Sequence, residues 1–257
     1  MSFVISNKHR IHYHLSGERG PWLILYPPFI LDNEAWDMSG YVQLLERDFR
    51  LMLIDPLGQG RSDSPEDPSC YTMESRVQNV LNVMQEVQMD YAHFFGVGLG
   101  GQVGFQMAVD APNKVRSLIT AAAHPYPRLD EIKTLEEGLD QLRSGNIEIY
   151  LQQWRSEEHF SLEQQDQILK GNPISHSIGL EACCRWKGVA DHLESINISS
   201  LHFTCTSEPS FLSVREAGRR LRHGRYVILP KIVYSHGLWS TETIVEPMLE
   251  FIRKLRN

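Results

Sequence analysis

Runs that are apolar at successive positions alternate with segments of helical period along the first half of the chain. The runs are WLILY (Trp22 to Tyr26), FRLMLID (Phe49 to Asp55), YAHFFG (Tyr91 to Gly96) and VRSLITAAA (Val115 to Ala123). Between the second and third lies MESRVQNVLNVMQEVQ (Met73 to Gln88), whose apolar positions recur with the 3.6-residue period of a helix. Continuous rather than alternating apolar strands imply burial on both faces, and hence a parallel sheet. The pattern breaks after Ala123. Residues 125–200 are charged, helical and irregular, with Trp154 and Trp186 but no strong strand. LHFTCTS (Leu201 to Ser207) and RYVILP (Arg225 to Pro230) then resume the strand pattern, and TETIVEPMLEFIRKL closes with an amphipathic helix. The expected architecture is one α/β domain, residues 1–124 and 201–257, with a mostly parallel central sheet flanked by helices. A helical segment, 125–200, is inserted between two late strands.

Composition narrows the function classes. The chain has 257 residues, 42% hydrophobic and 22% charged, which is ordinary for a soluble globular protein. The net charge of −7 argues against a nucleic-acid surface. The arginine-rich stretch from Arg215 to Arg225 has no interleaved aromatics for base stacking and is expected to be a solvated helix face. No apolar signal segment opens the chain, and no run approaches the ~18 apolar residues of a membrane span. Cys70, Cys183, Cys184 and Cys205 lack zinc-like spacing, so reduced thiols, no metal and a cytoplasmic location are expected.

HFFGVGLGGQVGF (His93 to Phe105) carries the chemistry, and it admits two readings. Gly96, Gly98 and Gly101 match the G-x-G-x-x-G of a dinucleotide-binding turn. Gly96, Gly98 and Gly100 match the G-x-S-x-G of a nucleophile elbow, with glycine where serine should stand. A dinucleotide site needs an acidic residue ~20 positions further on, at the end of the next strand. No Asp or Glu lies between Ala111 and Leu129, which counts against a nicotinamide or flavin cofactor.

In its elbow form the chain resembles the α/β-hydrolase family, in its capped branch of esterases, epoxide hydrolases and C–C hydrolases. The residues from His93 to Thr120 look like the family's strand, elbow, helix and following strand. IDPLGQGRSD (Ile54 to Asp63) looks like its D-x-x-G-x-G-x-S loop. LYPPFILDNEAWD (Leu25 to Asp37) aligns with the His-Gly loop, Pro27 and Pro28 replacing His-Gly. TSEPSF places Glu208 where the family carries its acid, and YSHGLW places His236 where it carries its histidine. The order nucleophile, acid, histidine agrees. The resemblance implies a cap over residues 125–200, no cofactor and a small-molecule substrate. It implies neither nucleic-acid nor membrane partners, and a monomer or homodimer.

The missing serine restricts the chemistry. Gly98 has no side chain, so no acyl-enzyme can form at the nucleophile position. By family analogy His236 and Glu208 form a base and its orienter, and the backbone N–H groups of Leu99 and Phe29 form an oxyanion hole. Pro28 removes its own N–H but not that of Phe29. Arg61, Ser62 and Asp63 are expected to be structural turn residues. Pro28, Trp36, His124, Trp154, Trp186 and Trp239 are candidates for the pocket wall, His124 equally a satisfied polar residue and the tryptophans equally core. Three functions remain open: an enzyme using the His236–Glu208 pair on a small, largely apolar carbonyl compound (as lyase, decarboxylase, cyclase or water-mediated hydrolase); an ordinary ester, lactone or C–C hydrolase carrying a serine-to-glycine change; and a non-catalytic ligand binder.

Overall fold

The computed structural model describes residues 2–127, 132–154, 160–231, 234–235 and 238–255. Eight strands form one sheet: β1 (Ser2–Ser6), β2 (His9–Ser16), β3 (Trp22–Tyr26), β4 (Arg50–Ile54), β5 (Ala92–Val97), β6 (Val115–Ala121), β7 (Ser199–Cys205) and β8 (Gly224–Leu229). Their order is β1-β2-β4-β3-β5-β6-β7-β8, with β3 to β8 all parallel and β2 antiparallel to both neighbours. A short hairpin of β9 (Tyr234–Ser235) and β10 (Leu238–Trp239) stands apart from it. The helices are α1 (Glu34–Met38), α2 (Tyr41–Leu45), α3 (Met73–Glu86), α4 (Leu99–Asp110), α5 (Ile132–Arg143), α6 (Ile147–Trp154), α7 (Leu162–Leu169), α8 (Pro173–Arg185), α9 (Phe211–Arg220) and α10 (Thr241–Lys254).

The apolar runs divide between two cores. Side chains alternate across a strand, so Leu23 and Leu25 of β3 join Trp36, Phe95, Trp239 and α10 on one face. Ile24 and Tyr26 join Phe94, Val77 of α3 and Val103 of α4 on the other. Both faces are covered, as the continuous pattern predicts. β1 and β2 carry no such run. They form one end of the sheet, with most of β1 open to solvent, and the polar positions of HRIHYHLS hide the strand from a search for apolar runs.

Helices α5 to α8 lie between β6 and β7 in chain order, as expected for the insertion. All four contribute to the first cluster, through Leu139 and Leu142 of α5, Ile147 of α6, Ile168 of α7 and Leu180 of α8; Cys183 of α8 also joins the second, and the Ser175 hydroxyl donates to the carbonyl of Ser64 at 3.0 Å. The arginine-rich segment forms α9 and the turn after it, with Arg219 and Arg222 exposed.

The glycine motif is explained by packing. A Cβ at Gly100 would lie 2.3 Å from the carbonyl oxygen of Tyr26 and 2.8 Å from that of Pro27. The first turn of α4 therefore lies against the end of β3 closely enough to exclude any side chain. Both obstacles are backbone, so Gly100→Ala forces a main-chain shift. Its expected cost is at least ~1–3 kcal/mol of unfolding free energy, the usual range for overpacking. Urea denaturation checks this, and a loss within ~0.5 kcal/mol, the range of neutral surface changes, would show that α4 is free to move.

Candidate active site

The parallel strands end at one edge of the sheet, and the loops that leave them there carry nearly every residue named by the resemblance. Gly98 joins β5 to α4 with φ +53° and ψ −117°, a backbone conformation unfavourable for residues with a side chain. Its N–H donates to the carbonyl of Ala121 at the end of β6 (2.9 Å), and its carbonyl accepts from the N–H of Gln102 (3.2 Å). The sharp turn is thus held on both sides. Among the described residues, a Cβ built at Gly98 meets Pro28 Cβ alone, at 3.6 Å, an ordinary van der Waals contact. Leu99 is the first residue of α4, where a helical N–H has no intrahelical acceptor.

The loop after β3 is fixed by partners that the sequence motifs do not single out. The Gln59 side-chain amide donates to the carbonyl of Pro28 at 3.3 Å and to that of Leu31. Ile30 sits at φ +72°, a region β-branched residues rarely enter. Such strain persists only where surrounding contacts over-determine it, and it tends to collect at ligand sites. Asp55, at the end of β4, is 1% exposed and accepts from the N–H of Asn33 (2.8 Å), the N–H of Arg61 (2.9 Å) and Nδ1 of His12 (2.8 Å). One buried carboxylate therefore joins the loops after β3 and β4. Ser62 donates to the Asp55 carbonyl at 2.6 Å, and Asp63 pairs with Arg10 at 3.1 Å, so both act as turn residues. Arg61 reaches Glu34 at 2.9 Å on the surface.

Asp32 lies against this network. Burial, and secondarily the charge of Asp55, raise its pKa from 3.8 to about 6. The native state then binds more protons than the unfolded chain between those values, so stability falls as pH rises through them. Asp32→Asn keeps a side-chain acceptor for the N–H of Glu34, which Asp32 accepts at 2.9 Å. The variant should match the wild type near pH 3.5 and exceed it by ~1–3 kcal/mol at pH 7, because each tenfold difference in proton affinity between the folded and unfolded chain is worth ~1.4 kcal/mol. Urea melts at the two pH values check this; a pH-independent difference would remove the cause.

Glu208 lies in the turn between β7 and α9 and is partly buried; its N–H donates to the Cys205 carbonyl at 3.0 Å, and its own carbonyl accepts from the N–H of Phe211 at 3.0 Å. His236 lies outside the described residues, between β9 and β10 in sequence. His124 follows β6, buried, accepting from the N–H of Tyr126 at 3.3 Å with the two rings 5.9 Å apart. Trp36 is wholly buried between Tyr41 and Phe95, and Trp239 is 2% exposed in the same core. Trp186 lies on the other side of the sheet, donating from Nε1 to Gln106 Oε1 at 2.9 Å. Trp154 ends α6, and its side chain lies outside the described residues. Phe29 faces the insertion: its ring meets His176 of α8 edge-on, at 6.3 Å. Burial, partly offset by a contact with the Gly58 backbone, lowers the pKa of His176 to about 4, so the ring is neutral at pH 7.

Comparison with known proteins gives the same assignment as this geometry. The alpha/beta hydrolase fold family matches residues 34–218. Epoxide hydrolase 4 of Homo sapiens is 25% identical over 173 residues, covering 66% of this chain and 46% of that protein. The 3-hydroxybutyrate-oligomer hydrolase of Cupriavidus necator is 26% identical over 189 residues, covering 67% and 61%. In general the chain spans about half the length of the relatives it matches first. The enol-lactonase of Burkholderia xenovorans LB400 superimposes with a TM-score of 0.80 at 20% identity, over 99% of both chains. With the eight-stranded, mostly parallel sheet and the tight strand–helix turn at Gly98, this match over most of the sequence means that the chain belongs to the α/β-hydrolase fold family.

Proposed function

We propose that the protein is an enzyme that acts on a small, largely apolar carbonyl compound by acid–base chemistry, without a covalent intermediate. His236 serves as the base or acid, Glu208 orients it, and the N–H groups of Leu99 and Phe29 hold the developing oxyanion. The observation that carries this reading is the backbone of Gly98. The turn keeps its geometry although no side chain is there to be presented, and among the described residues Pro28 alone borders the space where one would stand. That space can seat a water or a substrate oxygen beside the Leu99 amide. The loop that bears Phe29 is held by Gln59 and the Asp55 network, so its donor is preorganised rather than assembled at the moment of reaction. Water-mediated hydrolysis, decarboxylation, elimination or cyclisation all fit these parts. Residues 125–200 act as the cap, a role supported by the contact of α8 with Phe29.

The test has two arms. A fluorophosphonate probe and p-nitrophenyl acetate should give neither labelling nor a burst, because nothing at Gly98 can be acylated. A panel of enol lactones, 3-hydroxybutyrate oligoesters and β-keto acids should contain at least one compound that is turned over. Probe labelling at the elbow or an inert panel would overturn the proposal, the second outcome favouring a binder.

One observation favours a second reading, an ordinary hydrolase that carries a serine-to-glycine change. Among the described residues the site leaves room for a Cβ at Gly98, with Pro28 alone in contact.

A further inference from the structure

The parallel strands begin at the edge of the sheet opposite Gly98. There, in the strand order β4-β3-β5-β6, Arg50, Trp22, Tyr91 and Arg116 stand as cation, ring, ring, cation. Arg50 and Trp22 open β4 and β3, Tyr91 precedes β5, and Arg116 is the second residue of β6. The Arg50 guanidinium lies 4.5 Å from the Trp22 ring centre, and that of Arg116 lies 5.6 Å from the Tyr91 ring centre. With Gln88 and Asp90 these four line a recess of about 210 Å³. It opens to solvent: Tyr91 is 50% exposed, and Arg116, Gln88 and Asp90 are exposed as well.

The walls of the recess are held by the fold. Nε of Arg50 donates to the Gly20 carbonyl at 3.0 Å. Gly20 has φ +90°, and a Cβ there would lie 2.0 Å from the Asp48 carbonyl oxygen, so the turns before β3 and β4 press together. Trp22 packs against the second core. Stacking on the rings restrains both guanidinium planes. Among the described residues no acid lies within ion-pair distance of either arginine. Two like charges lining one recess repel each other, and an anion between them reverses the sign of that interaction. The recess is remote from the elbow, because the six residues of β5 separate it from Gly98, about 20 Å at strand rise.

We propose that this recess is a second ligand site, separate from the proposed reaction centre, that binds the phosphoryl group of a small phosphate monoester. Arg50 keeps its Nη1–Nη2 edge, since Nε is taken by Gly20. Two guanidiniums match the three terminal oxygens and the nearly double charge of a phosphoryl group better than the two oxygens and single charge of a carboxylate. The volume lies below the ~300–1,000 Å³ of drug-sized sites, which restricts the ligand to a small metabolite. Asp90 is an acceptor only, and Gln88 both donates and accepts, so the rim suits hydroxyl groups on the organic part. The inference does not depend on the chemistry assigned to Gly98.

The experiment is titration calorimetry at low salt with glycerol 3-phosphate, inorganic phosphate, succinate and glycerol. Wild type should bind one equivalent of glycerol 3-phosphate, at least tenfold more tightly than each of the other three. Arg116→Met, folded by circular dichroism, should weaken that binding at least tenfold. Arg116→Lys keeps the charge without the fork and should be intermediate; it carries the test if the methionine variant does not fold. The double variant Arg219→Met/Arg222→Met removes two exposed charges from the α9 region and should bind as wild type does. No saturable binding by wild type, or unchanged binding in folded Arg116→Met, would overturn the proposal. An equal loss in the α9 double variant would also overturn it, by reducing the effect to net charge. Equal affinity for inorganic phosphate would replace the ester by the free anion, and equal affinity for succinate would replace the phosphoryl group by any dianion; either result contradicts the assignment.

Discussion

Gly98→Ser should turn an inert elbow into one labelled by a fluorophosphonate probe. The backbone already has the geometry that a nucleophile needs, φ +53° and ψ −117° at the start of α4. Among the described residues the added Cβ meets Pro28 alone, at 3.6 Å, so the obstacle they present is conformational rather than steric. A residue with a side chain in that region costs ~1–3 kcal/mol, so the variant should unfold at lower urea. If His236 is placed as base and the Leu99 and Phe29 amides hold the oxyanion, labelling should rise from none to stoichiometric. The same variant should hydrolyse p-nitrophenyl acetate with a burst. A folded variant whose new hydroxyl lies within reach of His236 and that stays unlabelled would show that Pro27 and Pro28 have spoiled the oxyanion hole.

His236→Gln should lower turnover of the true substrate by ~10²–10⁴-fold, the usual contribution of a positioned proton-transfer group. Affinity should stay within a few-fold, because the lost interaction belongs to the transition state. Glu208→Gln should cost as much or less, and the double variant little more than the worse single, since the two residues act as a unit. A binder behaves differently: there is no turnover to lose, and affinity changes by no more than one hydrogen bond, ~0.5–1.5 kcal/mol. Steady-state kinetics on the compound found in the panel, with calorimetry for affinity, separates the two.

The parallel half of the sheet was legible because both faces of each strand are covered. Ile24 and Leu25 face opposite cores, and both must be apolar. β1 and β2 were missed because most of β1 lies open to water at the end of the sheet, so no continuous run forms. At the site, the tight strand–helix turn at Gly98 was legible from the spacing of its glycines. Asp55 and Gln59 lay within the recognised IDPLGQGRSD motif, but their work was not readable there. It consists of contacts to the loop after β3, and hydrogen bonds between loops distant in sequence leave no periodic trace.

The absence of a covalent intermediate at Gly98 is tested most directly by intact-mass spectrometry during turnover. The wild-type protein is mixed with the best ester or lactone of the panel and quenched at intervals from milliseconds to seconds. The expected result is steady product formation with only the unmodified protein mass at every time, and Gly98→Ser accumulating the acylated mass under the same conditions. An acylated wild-type population that forms and decays at the rate of turnover would contradict the mechanism.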